Sequence, residues 1–210
     1  MALRPYRVRP DREFPQPFAG CDEAGRGCLA GPVVAAAVIM PEGPKLRGLT
    51  DSKLLPPEKR AVLAARIRER ALAFGVGMCW PAEIDRYNIH HASLLAMARA
   101  VTILRRHMEP VMLVIDGRHV IPLNDIPQKP VVDGDLLIPN VSAASVIAKT
   151  VRDRLMAALD KRYPGYGWTS NKGYGCRTHK EGLERLGPCP MHRRSFKSVR
   201  NPEELWLPGI

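Results

Sequence analysis

The chain has 210 residues, 45% hydrophobic and 25% charged, a globular composition that excludes wholesale disorder and suits one medium domain with at most a small appendage. Thirty-two Lys and Arg against 21 Asp and Glu give a formal net charge of +11, which points to a polyanionic partner, with nucleic acid ahead of an anionic membrane. The longest apolar stretch, residues 32–40, is far shorter than the roughly 20 residues of a spanning helix. The basic N-terminus lacks the apolar core of a secretory signal. The five cysteines include no C-x-x-C pair, which argues against a disulfide framework or zinc site and for reduced thiols in the cytoplasm.

Residues 1–17, rich in Arg and Pro, read as a flexible leader. Residues 18–23 read as a short strand and 25–27 as a turn. Residues 33–39 form a continuous apolar, partly β-branched run between Pro32 and Pro41, the pattern of a buried strand. The short connection predicts a hairpin. Pro57 suits a first helical turn, and a helix is expected over 58–73. A third strand follows over 74–80, then a short helix over 81–87. Asn88 is placed to cap a long helix to about residue 107, with Ile89, Ala92, Ala96, Ala100, Ile103 and Leu104 at helical spacing. An apolar strand over 111–116 ends in Asp116 before Gly117, and a short strand over 129–133 leads to Gly134 and Asp135. The helix expected over 140–161 carries Ala143, Val146, Ile147, Val151, Leu155 and Leu159 on its inner side. A loop with Lys172-Gly-Tyr-Gly175, a helix over 178–186, a basic stretch over 192–196 and a tail over 199–210 complete the chain. This order predicts an α/β fold with a mixed sheet, whose ligands gather at the carboxyl ends of strands.

Asp22-Glu23, Asp116 and Asp135 all stand where strands are expected to end, each near glycine. Carboxylates gathered there repel one another unless cations lie between them, and an all-oxygen set suits Mg2+ or Mn2+ rather than zinc. Two such ions about 4 Å apart hold both the attacking and leaving oxygens of a phosphodiester displacement. Adjacent strand residues point to opposite faces, so Asp22 and Glu23 share one metal centre only if the strand twists or ends there, or if Glu23 adds its backbone carbonyl. The glycines of 25–31 superficially suggest a dinucleotide loop, but a strand follows rather than a helix. Close approach of backbone N–H groups and Arg26 to a nucleic-acid strand is the better use, and a plain hairpin turn is the structural alternative. Tyr174 is placed to stack on a sugar or base, or else packs over its own loop. The stretch 192–196 reads as a solvated charge run or a phosphate contact. His90, His91, His107 and His119 read as structural, and His179 lies near the Tyr174 loop.

In order, the residues Cys21-Asp-Glu-Ala-Gly-Arg-Gly-Cys-Leu-Ala-Gly-Pro-Val33, Asp51-Ser-Lys-Leu, Tyr87-Asn-Ile, Ile115-Asp-Gly117, Gly134-Asp135, Ala143-Ala-Ser-Val-Ile-Ala-Lys149, Arg152-Asp153, Lys172-Gly-Tyr-Gly175 and His192-Arg-Arg-Ser-Phe196 resemble the motifs of type 2 ribonuclease H, specifically bacterial ribonuclease HII. The resemblance spans residues 18–198. It implies a ribonuclease H-like fold, a mixed central sheet flanked by helices with a small helical C-terminal portion. It implies cleavage of the RNA strand in RNA/DNA hybrids and incision 5′ of ribonucleotides embedded in duplex DNA, as in ribonucleotide excision repair, leaving 3′-hydroxyl and 5′-phosphate ends. The four metal-binding, catalytic acids would be Asp22, Glu23, Asp116 and Asp135, holding two Mn2+ or Mg2+ ions with substrate. Gly25, Arg26 and Gly27 would read the ribose 2′-hydroxyl, Tyr174 would stack on the following deoxyribose, and Lys53 and Asn88 would lie near the substrate. A cytoplasmic monomer is implied, with a replication-clamp contact through the tail as a further expectation. The short leader favours HII over HIII, which carries a long N-terminal extension. Cys176 departs from the family's usual threonine, and Ser142 from a common alanine. Two rivals fit the acids and the charge: a metal-dependent DNA nuclease or 3′–5′ exonuclease, and a non-catalytic nucleic-acid-binding protein.

Overall fold

The computed structural model describes residues 14–42, 46, 49 and 55–199. Lys53, residues 1–13 of the leader and residues 200–210 of the tail lie outside the described residues. The apolar run of the sequence is β2 (Val33–Ile39), buried at all seven positions. It lies between β1 (Phe18–Ala24) and β3 (Ala73–Cys79), antiparallel to both. On the far side of β1, β4 (Met112–Asp116) and β5 (Gln128–Val131) add in parallel, giving the order β3-β2-β1-β4-β5. The expected hairpin and mixed sheet are therefore present.

Burial on both faces explains why β2 does not alternate. Val33, Ala35, Ala37 and Ile39 pack with Ala92, Ala96 and Ala100 of α2 (Pro81–Leu104). Ala36 and Val38 pack on the other face, with Leu63 and Ile67 of α1 (Pro57–Arg70) and residues Ala143 to Ala148 of α4 (Pro139–Arg162). Each fully buried Val or Ile contributes about 1.5–3 kcal/mol relative to exposure. On β3 the α2-facing positions include Gly75 and Gly77, where a Cβ would meet the carbonyls of Ala100 and Ala96 at 2.1 and 2.2 Å. Their missing side chains let the helix lie directly on the strand.

Asn88 divides α2, with φ 64° and ψ 164° in an otherwise helical run, and its Oδ1 accepts the His91 N–H at 3.1 Å. The two helices expected on either side of Asn88 are thus joined across a capped kink. The expected strand over 129–133 is shorter. Pro130 and Val131 end it, Asp133 turns with φ 55°, and Asp135 falls in the first turn of a short helix, α3 (Gly134–Leu137), rather than at a strand end. Along the second half of α4 the fully buried residues are Arg152 and Met156, with Val151 and Leu159 at the margins of two clusters. Short α5 (Trp168–Asn171) and α6 (Arg177–Leu186) form the helical C-terminal portion. Of the leader, Phe14 packs 5.2 Å from the Phe18 ring, and the Pro17 carbonyl accepts the Val111 N–H at 2.9 Å. Among the described residues no helix is long and apolar enough to cross a membrane, and all five cysteines are free thiols.

Candidate active site

The first turn of α4 lies across β1. Asn140 Nδ2 donates to the Phe18 carbonyl at 2.8 Å, and a Cβ on Gly20 would lie 2.2 Å from the Asn140 carbonyl carbon. That close approach brings Ser145, further along α4, against Asp22, whose carboxylate accepts its hydroxyl. Asp22 is 4% exposed, opposite Ala36 of β2, and one of its oxygens accepts the Glu23 N–H at 2.6 Å. Asp116 closes β4, and its Oδ1 accepts the Gly134 N–H at 2.8 Å, tying the end of the strand to the start of α3. Asp135 is buried, and its backbone carbonyl accepts the Ser142 hydroxyl at 2.5 Å.

Burial, then the negative charges of Glu23, Asp116 and Asp135, push the Asp22 carboxyl well above its usual range, against the opposing Ser145 hydrogen bond. The four acids of the sequence reading thus share one electrostatic neighbourhood. Three of them, Asp22, Glu23 and Asp116, line one cavity. This pocket of about 200 Å3 is also lined by residues 24–27 and by Ser145, Lys149 and Tyr174, without Asp135. Among the described residues no three His, Cys, Asp or Glu side chains have the arrangement of a formed metal site. Glu23 Oε1 lies 3.3 Å from Arg26 Nη1. Strand β1 continues to Ala24, so the adjacency of Asp22 and Glu23 is not relieved by the strand ending at Glu23. The chemistry of the set, oxygen donors held against their mutual repulsion, suits a hard divalent cation.

The glycine turn is held from beneath by two arginines. Arg193, fully buried, donates to the carbonyls of Gly25 at 2.7 Å, Arg26 at 2.8 Å and Gly31 at 3.1 Å. Arg152, also fully buried, donates to Pro32 at 3.0 Å, Ala30 at 3.1 Å and Lys172 at 2.8 Å, so it joins the turn to the tyrosine loop. At buried His192 and Arg193 the stretch 192–196 is therefore neither a solvated run nor a phosphate contact, while the Arg194 side chain at its centre is exposed. Arg193 is spent on backbone carbonyls, and Asp85 accepts the backbone N–H groups of Arg194 and Ser195. Sequence reasoning missed both arginines as supports. One signal was available: Ala144, Ala148, Arg152 and Met156 recur every four residues, which puts an arginine inside an apolar stripe.

Tyr174 is 45% exposed, with Lys149 Nζ 5.8 Å from its ring centre. Lys149 and Arg60 each meet Asp153 at 2.7 Å. The Tyr174 carbonyl lies 2.9 Å from Nδ1 of buried His179, whose Nε2 accepts the Trp168 indole N–H at 3.0 Å and lies 3.1 Å from His192 Nε2. Asn88 is exposed at the α2 kink, outside the pocket lining. Cys176 precedes α6, with Sγ 3.1 Å from Thr178 Oγ1, and that contact with nearby backbone hydrogen bonds lowers its pKa.

A mixed five-stranded sheet with helices on both faces and acids on β1 and β4 defines an α/β protein of the ribonuclease H-like class. Ribonuclease H2 from Pyrococcus horikoshii OT3 shares this fold with a TM-score of 0.76 and 29% identity, covering 90% of this chain and 97% of that one. The ribonuclease HII solved in a PCNA:RNase HII complex from Archaeoglobus fulgidus matches with a TM-score of 0.73 and 27% identity, over 90% and 99% of the two chains. The family model for ribonuclease HII matches residues 19–199, and the ribonuclease HII of Nitratidesulfovibrio vulgaris is 49% identical over 213 residues, 96% of each chain. The chain belongs to the ribonuclease HII family, and is therefore an enzyme, a nuclease of the ribonuclease H type.

Proposed function

We propose that the protein is an endoribonuclease that hydrolyses the RNA strand of RNA/DNA hybrids and incises 5′ of ribonucleotides embedded in duplex DNA, leaving 3′-hydroxyl and 5′-phosphate ends. The observation that carries this reading is Asp22, a carboxylate whose affinity for a proton is raised by burial and then by Glu23, Asp116 and Asp135, beside a Gly-Arg-Gly turn. Asp22, Glu23, Asp116 and Asp135 would hold Mg2+ or Mn2+, two ions with substrate. Ions bound there would supply Lewis acidity to an attacking water and to the leaving 3′-oxygen.

The chain's own groups supply recognition. Arg193 holds the carbonyls of Gly25 and Arg26, and in a trans peptide the N–H points away from its carbonyl. The N–H groups of Arg26 and Gly27 therefore face away from Arg193, and serve as donors to the 2′-hydroxyl that separates RNA from DNA. Gly27 allows that approach by having no Cβ, while the missing Cβ of Gly25 makes room for Arg152 beneath the turn. Tyr174, exposed at the rim, stacks on the next deoxyribose. Lys53 and Asn88 are proposed as phosphate contacts, and the positive balance adds salt-sensitive attraction to the backbone. The reading includes a cytoplasmic monomer and a replication-clamp contact through the tail, the latter by analogy with the archaeal relative solved with PCNA.

The test incubates the protein with a DNA duplex containing one ribonucleotide, with and without Mg2+ or Mn2+, and maps the cut. The expected result is one metal-dependent incision 5′ of the ribonucleotide. Equal cutting of an all-DNA duplex would make the protein a general DNA nuclease instead. Tight hybrid binding without cleavage in either metal would make it a binding protein.

A further inference from the structure

Three histidines that the proposed chemistry does not use crowd together where α2 meets the loop after β4. His90 of α2 meets the ring of His119, from the loop after β4, with centroids 4.5 Å apart and planes at 76°. It meets the ring of His91 at 5.3 Å and 78°. Asn88 at the kink of α2 fixes His91. Asn88 Oδ1 accepts the His91 N–H at 3.1 Å, and Asn88 Nδ2 lies 3.0 Å from His91 Nδ1. His91 and His119 are exposed and His90 is half-buried. Besides burial, the groups that act on His90 are His119, His91 and Arg26, all basic, and each lowers its pKa.

Such a cluster invites either a cation or an anion. The rings meet edge to face, and no three His, Cys, Asp or Glu among the described residues are arranged to hold a metal ion. Arg26, which also pairs with Glu23 at 3.3 Å, adds its positive field to the basic rings around His90, and an anion relieves that repulsion. We propose that His90, His91 and His119 form, with Arg26, a contact for the phosphate backbone of the duplex. This rests on the reading that the turn carrying Arg26 meets a ribonucleotide-containing duplex. Phosphate binding and histidine protonation are then linked, so each favours the other.

The experiment measures fluorescence anisotropy of a labelled DNA duplex with one ribonucleotide, in EDTA so that it is not cut. Salt is varied at about pH 6 and about pH 8, on either side of the histidine range. Wild type is expected to bind about 3- to 10-fold more tightly at the lower pH, with a salt slope steeper by about one phosphate contact. The double variant His90→Ala/His119→Ala is expected to lose both differences and to match wild type near pH 8. His119→Arg, which carries a fixed charge, is expected to bind tightly at both pH values. A double variant that keeps the wild-type pH dependence and slope overturns the histidine contact. Adding Mg2+ to wild type separates the two levels. If wild type cuts the duplex and the double variant binds like it, only the histidine contact falls. If wild type neither binds nor cuts, both this contact and the underlying substrate reading fall.

Discussion

Arg193 donates to the carbonyl of Gly25 at 2.7 Å across 168 residues of sequence. Burial, with a lesser effect of the Arg152 charge, lowers the Arg193 pKa to about 10, which still leaves it protonated near neutrality. Its charge is balanced by carbonyl dipoles of Gly25, Arg26 and Gly31. Arg193→Met strands three acceptors in the interior, and is expected to cost about 3 kcal/mol or more in urea unfolding and to abolish cleavage. Arg193→Lys keeps the charge but not the fork geometry, and should fall between. An Arg193→Met protein within about 1 kcal/mol of wild type would show that the turn holds itself.

Gly25 and Gly27 are expected to respond differently to alanine. Gly25 has φ +97°, and a Cβ there would lie 1.9 Å from Arg152 Nε. Gly25→Ala therefore combines a left-handed strain of about 1–2 kcal/mol with displacement of Arg152. At Gly27 a Cβ meets nothing within 4 Å. Gly27→Ala should melt within a few degrees of wild type, yet cut a lone ribonucleotide at least about tenfold more slowly, because the methyl group intrudes where the ribose approaches. Unchanged cutting by Gly27→Ala would remove close backbone approach from the proposed recognition.

These two glycines mark where the sequence was legible and where it stopped. The apolar run of β2, the prolines at helix starts and the cap at Asn88 are local signals, and the sheet, α1 and the α2 kink follow them. The acids were visible as carboxylates near glycine, although Asp135 lies on α3 because Asp133 turns the chain after a strand shortened at Val131. What local pattern does not carry is who supports the site. Arg193 looks like one member of a basic run until its carbonyl partners, more than 160 residues away, are seen. His90 and His119 come from different elements, so only the fold makes them neighbours.

Asp22 is expected to trade stability for metal binding. Its charge is opposed by burial and by three nearby acids. Asp22→Asn removes that opposition while an amide oxygen keeps the bond from the Glu23 N–H. The variant should gain on the order of 1 kcal/mol in stability and lose cleavage by several orders of magnitude. Melting in Mg2+ separates the two effects. Wild type at an ion concentration of about 100 times the dissociation constant should gain about 2.7 kcal/mol, and Asp22→Asn far less. Equal gains would take Asp22 out of the metal site.

Tyr174→Ala should slow cleavage at a lone ribonucleotide about tenfold or more, the scale of one lost stacking contact. Binding to an all-DNA duplex should change less, because phosphate contacts do not depend on the ring. Tyr174→Phe keeps the ring over Lys149 and should stay near wild type. Parallel losses of cleavage and general duplex affinity in the alanine variant would argue against stacking at the RNA–DNA junction.

The buried histidine pair sets an acid limit on stability. The Cys189 N–H donates to His192 Nδ1 at 3.1 Å, so in the neutral ring the proton sits on Nε2 and points to His179 Nε2. His179 accepts there from Trp168 as well, and its own proton lies on Nδ1, facing the Tyr174 carbonyl. An added proton puts N–H against N–H. Burial lowers both pKa values, and with the His179 charge it takes His192 from 6.5 to about 4. Below 6.5 the unfolded chain takes up protons that the folded one refuses, so this stability is complete above 6.5 and is lost as pH falls toward about 4. Hydrogen bonds from Arg99 and Arg105 lower the pKa values of Glu83 and Asp125, so these carboxylates add to the acid loss, while Asp22, raised by burial and by its acidic neighbours, opposes it. The melting temperature of wild type should therefore drop by several degrees across that pH range. His192→Asn should be less stable at neutral pH but show a shallower slope, and parallel wild-type and variant curves would place the acid sensitivity elsewhere.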